Sequence, residues 1–269
     1  MNRLSVVALV AVLGTLANLA EAQTDVDAKM VAKGAIAPSD KKPEDGPWSG
    51  AVAAGYAKTS GNSESTAANA KVDGRYDKDR WHHILGATAV AAASAPSRGE
   101  STETTGEAYW AGVQSQYDIT DQIYGFGSVD WYKDRFSAYD SQIFETAGLG
   151  WRVLRGEVHF LDLEAGYGLK QSDPKIGDRE NEGVAVVRGV YTWQISDSAA
   201  FVQKVTVLDS SSNTYLQTDS ELKAAIIGNL SLVLGYTLKR NSDVADAAPP
   251  APPFEKKDTF TTVSLQYAF

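Results

Sequence analysis

From Trp48 to the end of the chain, apolar and polar residues alternate with a period of two. In the last segment Thr261, Val263, Leu265, Tyr267 and Phe269 share one face, and Thr262, Ser264, Gln266 and Ala268 form most of the other. Leu230, Leu232, Leu234, Tyr236 and Leu238 alternate with Ser231, Gly235, Thr237 and Lys239 in the same way. So do Ala68, Ala70, Val72 and Tyr76 with Asn69, Lys71, Asp73 and Arg75. Each pattern predicts a strand with one apolar and one polar face. About twelve segments read this way. They lie near 48–59, 65–76, 81–94, 104–117, 122–134, 141–154, 158–170, 183–195, 199–208, 215–227, 230–239 and 259–269. Alternation is weakest in the Ala-rich third segment and the aromatic fifth.

The connections carry as much information as the strands. Tight turns follow the second, fourth, sixth, eighth and tenth segments, as at Asp77-Lys78-Asp79-Arg80, Arg155-Gly156-Glu157 and Gly228-Asn229. The intervening connections read as longer and polar, including 171–182 and 240–258. Short and long connections in alternation point to an all-β, antiparallel up-and-down transmembrane β-barrel of about 12 strands, with tight periplasmic turns and longer external loops. A soluble β-sandwich also alternates apolar and polar positions. The alternating loop lengths, an N-terminal leader and the terminal aromatic together disfavour it.

That leader is residues 1–22. Arg3 supplies the positive start, Leu4 to Leu19 an interrupted apolar stretch, and Ala20-Glu21-Ala22 a small-x-small cleavage pattern. After it, no run approaches the roughly 20 apolar residues of a spanning helix. Residues 23–47 are Asp-, Lys- and Pro-rich without sustained periodicity and read as a flexible periplasmic tail. The barrel domain is 48–269. A Gram-negative outer-membrane location follows as an expectation. The lipid and lipopolysaccharide around the barrel are the first expected partners. The C-terminal strand ending in Phe269 resembles the assembly signal of bacterial outer-membrane barrels, which implies the barrel assembly machinery as another.

The opening Trp48-Ser49-Gly50, followed by Gly55 and then Thr59-Ser60-Gly61-Asn62-Ser63-Glu64-Ser65, resembles the salt-induced outer-membrane proteins, a Gram-negative family of unassigned function. The resemblance covers Trp48 to Phe269. It implies a barrel and supplies no catalytic residues. Gly61-Asn62 is also a plain hairpin turn in its own right.

Composition narrows the function classes. With 25 Lys+Arg against 34 Asp+Glu, the net charge is −9, and no basic stripe exists to meet nucleic acid. Cysteine is absent, which removes thiolate metal sites and a Cys nucleophile. Trp and Tyr make up 18 of the 26 aromatics, the kind that favours wet–apolar boundaries. Tyr76, Trp81, Tyr117, Trp151, Trp193, Tyr267 and Phe269 lie near the tight-turn ends. Tyr56, Trp131, Tyr132, Phe136 and Tyr139 lie near the external ends. Such placement suits two interfacial girdles.

No enzyme signature emerges, and neither catalytic, metal nor cofactor residues are assigned. Only His82, His83 and His159 are available as bases, all beside tight turns, and His82 and His83 point to opposite faces of a strand. The polar face carries the candidate chemistry. Lys71, Asp73, Arg75, Asp130, Arg152, Asp162, Glu164, Arg188, Lys204, Asp219, Glu221, Lys223 and Lys239 are expected to line the lumen. They would either tune solute passage through a narrow or gated channel or pair across a sealed interior serving envelope integrity, with osmotic stress as the setting that the family resemblance implies. A lipase or protease ranks below both. Glu100, Glu103, Asp140, Asp173, Asp178, Glu180, Glu182, Asp243, Asp246, Glu255 and Asp258 read as acids of the external loops. The run Ala247-Ala248-Pro249-Pro250-Ala251-Pro252-Pro253 reads as a stiff segment of the last loop.

Overall fold

The computed structural model describes residues 46–59, 64–95, 101–136, 139–175, 177–243 and 256–269. The leader and nearly all of the tail lie outside these residues, as do the turn 60–63, Glu100, Asp246, Glu255 and the Pro-rich run 247–253. The alternating segments form strands: β1 (Trp48–Thr59), β2 (Glu64–Lys78), β3 (Trp81–Ala95), β4 (Glu103–Asp118), β5 (Ile123–Asp134), β6 (Tyr139–Arg155), β7 (His159–Pro174), β8 (Glu180–Ser196), β9 (Ala199–Ser210), β10 (Thr214–Ile227), β11 (Leu230–Asn241) and β12 (Lys257–Ala268). Each pairs antiparallel with its neighbours in sequence, and β12 pairs with β1 to close the barrel. Closure is what the chemistry demands, since an open sheet in lipid leaves an edge of unpaired backbone groups.

The tight turns sit where local conformation permits them. Asp79 adopts a left-handed φ of 53° between β2 and β3, a conformation that Asp tolerates better than most residues. Gly228 does so at 52° between β10 and β11. Both chain ends of the barrel, Trp48 and Phe269, lie at this tight-turn end. Phe269 pairs with Gly50 through two backbone bonds, Gly50 N–H to Phe269 O at 3.0 Å and Phe269 N–H to Gly50 O at 2.9 Å.

The outer surface is apolar, with Val52, Val72, Leu85, Val113, Leu149, Leu163, Val187, Leu234 and Leu265 all exposed. In a barrel surrounded by lipid, these are the residues that touch the acyl chains. Polar groups on that face satisfy one another. Ser220 donates to Gln203 Oε1 at 2.6 Å, and Gln203 Nε2 donates to the Asp219 carbonyl at 3.1 Å. An aromatic ring circles the tight-turn end. Trp48 meets Tyr76 at 4.9 Å, Trp81 meets Tyr117 at 5.0 Å, and His83 stacks on Trp81 at 5.9 Å. His159 stacks on Tyr191 at 5.9 Å, while Trp151, Trp193 and Tyr267 stand exposed nearby.

Three sequence expectations need correction. The connection 171–182 is not a loop over that length, because β7 runs on to Pro174 and β8 starts at Glu180. Likewise, only 211–213 separate β9 from β10, so loop lengths alternate less than expected. Consequently Glu103, Asp140, Asp173, Glu180, Glu182 and Asp258 sit on strand ends. The reason is length: a tilted strand crosses a bilayer in roughly 9–11 residues. These strands have 12–17, and their projecting ends are polar on both faces. Lastly, Tyr132 belongs to no girdle. It points inward, 1% exposed, and packs edge-on against Phe144 at 5.6 Å.

Candidate functional site: an asymmetrically filled lumen

The interior differs between the two sides of the barrel. Along β4 to β9 most inward side chains are buried. Toward the loop end Trp110, Tyr132, Phe144, Val184, Val186 and Leu208 form a buried apolar cluster with Tyr215 of β10. Below it lies a polar hub built on Glu164. That carboxylate accepts from Gln114 Nε2 at 2.8 Å, from the Tyr124 hydroxyl at 2.9 Å and from Arg188 Nη1 at 3.3 Å. Arg188 also reaches Thr146 Oγ1 at 3.4 Å and lies over the Phe126 ring at 5.6 Å. Ser128 and Thr146 share a 2.8 Å bond, and Trp110 Nε1 donates to Asp130 at 3.1 Å. Burial of this kind is tolerable because the charges are paired and hydrogen-bonded.

Along β1 to β3, β11 and β12 many inward side chains are small, among them Ala53, Gly55, Ala67, Thr88, Ala92, Gly235, Thr237 and Thr262. Among the charged residues beside this wall, Lys71, Glu221 and Lys223 have side-chain exposures of 22%, 18% and 27%, whereas Lys204, Asp219 and Lys239 are buried. Arg188 and Glu164 have 2% and 3%. Lys71, Glu221 and Lys223 are thus less deeply buried than the Glu164–Arg188 pair of the opposite half.

One cluster gathers the charged side chains of β2, β9 and β10. Glu221 lies 3.5 Å from Lys71, 3.4 Å from Lys223 and 3.8 Å from Lys204. Lys71 also pairs with Asp73 at 3.2 Å. Asp219, one step along β10, accepts from Thr237 Oγ1 at 2.6 Å and from Gln217 Nε2 at 2.7 Å. These four ion-pair distances exceed the 2.7–2.9 Å of a tight charge-assisted bond.

The remaining charged residues sit elsewhere. At the tight-turn rim Arg75 pairs with Asp77 at 2.8 Å, His82 bridges Asp77 at 2.5 Å and Asp118 at 3.0 Å, and Arg152 reaches Asp118 at 2.6 Å. Asp162 pairs with Arg155. Lys239 is buried near the loop end of β11. The structure thus brings Lys71, Asp73, Lys204, Asp219, Glu221 and Lys223 together. It puts Glu164 and Arg188 in the packed half and leaves Arg75 and Asp162 toward the tight-turn rim. Gln114, Gln116, Tyr124 and Thr146 complete the Glu164 hub, although a reading by charge alone passed over them. Their signal was parity, since each shares a face with a neighbouring inward residue. Among the described residues, no group of three or more His, Asp or Glu side chains is arranged to hold a metal ion.

Comparison with known proteins adds relatives. The chain is 32% identical over 222 residues to an uncharacterised protein, YdiY, of Escherichia coli (strain K12), covering 82% of this chain and 83% of the relative. Among solved structures it is similar to the NanC porin, at a TM-score of 0.49 and 12% identity, over 81% of this chain and 98% of the porin. It is also similar to the translocator domain of the autotransporter NalP from Neisseria meningitidis, at 0.46 and 12% identity, over 82% and 87%. Residues 52–269, from the fifth position of β1 to the terminal Phe269, match the family model described as "Protein of unknown function, DUF481", and the chain belongs to that family.

Proposed function

We propose that the protein is an outer-membrane barrel that conducts small polar solutes through a narrow passage along the β1–β3 and β10–β12 wall. The observation that carries this reading is the contrast in exposure between Lys71, Glu221 and Lys223 on one side and Arg188 and Glu164 on the other. Residues along the passage select by charge and size, as in other aqueous pores. No chemical step is involved, so the barrel is not an enzyme. Its expected partners are the lipid and lipopolysaccharide around it and, through Phe269, the machinery that inserts barrels.

A sealed barrel serving envelope integrity is the second reading, and the packed β4–β9 half favours it. Planar-bilayer recording of the refolded chain separates the two. A passage gives small, stable current steps. Glu221→Gln removes one negative charge beside three lysines, so it shifts the reversal potential toward anion preference, and Lys223→Gln shifts it the opposite way. Silence from a demonstrably folded barrel, or currents indifferent to both substitutions, overturns the conducting reading.

A further inference from the structure

Of the five tight-turn tips, that of the β10–β11 hairpin has a chemistry of its own. The other four carry charged side chains: Asp77 to Arg80, Asp118 with Asp121, Arg155 with Glu157, and Asp197. From Ala224 to Leu238 there is no Asp, Glu, Lys, Arg or His. Ala224 to Asn229 are all exposed. Ile226 is 56% exposed and Ile227 74%, the highest value for a large apolar side chain among the described residues. Ile119, Val158 and Ile195 are exposed at other tips, but each stands within two residues of a charge.

Register explains how two adjacent isoleucines come to face outward. The β10–β11 pairing slips between Ala225↔Ser231 and Ile227↔Leu230, which makes Ile226 the extra residue of a β-bulge. By strict alternation Ile227 would follow Glu221 and Lys223 inward. The bulge instead pairs it with Leu230, which shares the outward face of Leu232 and Leu234. The β6–β7 hairpin uses the same device. Val153 is its extra residue, so Leu154 pairs with Leu161 on the outside and Arg155 turns to the inward Asp162. Ile195 is the extra residue of the β8–β9 hairpin. By contrast, β2–β3 and β4–β5 run in unbroken register to Lys78↔Trp81 and Asp118↔Tyr124.

Polar groups of the β10–β11 tip are bonded within the barrel. Asn229 Nδ2 donates to the Ala268 carbonyl at 2.9 Å, and the Asn229 carbonyl accepts from the Ala268 N–H at 3.0 Å. The Phe269 carbonyl oxygen is held on the β1 side of β12 by the Gly50 N–H, away from this tip. Exposed isoleucines with no charge beside them are unfavourable in water and favourable in hydrocarbon. The patch is continuous with the exposed Leu222, Leu234 and Leu265 of the lipid-facing wall. It also lacks the polar rim that frames a protein interface.

We propose that the β10–β11 tip is a lipid-insertion surface, with Ile226 and Ile227 within the acyl layer. The β4–β5 tip, opposite it in the ring of twelve strands, stays in water. The barrel therefore leans in the membrane and sits deepest at β10–β11 on its tight-turn side. Uneven apolar edges set such a lean much as interfacial anchors set the tilt of a spanning helix. This rests on the reading of the chain as a membrane barrel and is independent of whether the interior conducts.

The absence of cysteine makes single-site labelling direct. Ile227→Cys and, at the β4–β5 tip, Gln122→Cys each carry a nitroxide, in the full chain refolded into phosphatidylcholine liposomes. Contact is measured with oxygen, which concentrates in lipid, and with a water-soluble nickel chelate. The ratio of oxygen to nickel contact at 227 is expected to exceed that at 122 several-fold. Adding Ile226→Ser and Ile227→Ser to the chain labelled at 122 lets the barrel right itself, so the ratio at 122 rises. Equal ratios at the two tips overturn the proposal, as does a ratio at 122 that ignores the serines. A label at 227 shielded from both reagents and broadened by a neighbouring label assigns the tip to a second copy, which also overturns it. A leaning barrel that is silent in planar bilayers loses the passage and keeps the tip, whereas a conducting barrel with equal ratios does the reverse.

Discussion

Glu164 and Arg188 show what a charge inside a membrane barrel requires. Each is almost wholly buried, and each is held by the other and by neutral donors or acceptors around it. Removing one partner leaves an uncompensated charge, which costs about 3–5 kcal/mol, whereas replacing both with similar-sized neutral groups is far cheaper. Arg188→Met therefore lowers stability by that amount in equilibrium unfolding of the refolded barrel, and Glu164→Gln combined with Arg188→Met recovers most of it. A single variant within about 1 kcal/mol of wild type would mean the hub holds little together. Gly150 supports the same hub from the wall. The Tyr124 ring lies across it, in the space a Cβ would occupy. Gly150→Ala displaces that ring from Glu164 and costs roughly 1–3 kcal/mol by overpacking, read in the same unfolding experiment. The sequence held part of this picture. Parity alone assigns Tyr132 to the face of Asp130 and Trp131 to the opposite one, so the inward position of Tyr132 was legible. Its packing against Phe144 was not, because that depends on how sharply the closed wall brings β5 and β6 together.

Strand existence and facing were almost fully legible, because lipid outside and a polar interior enforce a period of two over the length that crosses the bilayer. Strand ends were not. Above the lipid both faces meet water, so Gln171, Ser172 and Asp173 looked like loop although they extend β7. The Ala-rich third segment, whose alternation was weak, forms β3 and turns small side chains such as Thr88 and Ala92 inward. Closure of the barrel depends on the shortest of its pairings. The seam has registered pairs only from Ala51↔Ala268 to Ala54↔Leu265, extended by the two backbone bonds of Phe269. Deleting Phe269 removes both bonds and lowers the folded fraction in a heat-modifiability gel. Phe269→Ala keeps the backbone bonds, loses only the ring over Gly50, and falls between the two. Wild-type folding of the deleted chain would show that the seam does not depend on its last residue.

At the scale of the whole molecule, twelve strands enclose more space than an eight-stranded barrel, whose side chains fill it, and less than the open porins. The chain divides that space unequally, with large side chains from β4 to β9 on one side and small ones from β1 to β3, β11 and β12 on the other. No periodicity in the sequence marks that division, since every inward position alternates alike whether it packs or meets water. The most direct test uses the missing cysteines again. Lys223→Cys and Thr262→Cys on the open side, and Thr192→Cys and Thr206→Cys on the packed side, are exposed one at a time to a small water-soluble thiol reagent in the folded barrel. A divided lumen predicts rapid modification at 223 and 262 and protection at 192 and 206 until the barrel is unfolded. Uniform modification at all four would mean an open pore, and uniform protection a sealed one; either contradicts a passage confined to one wall.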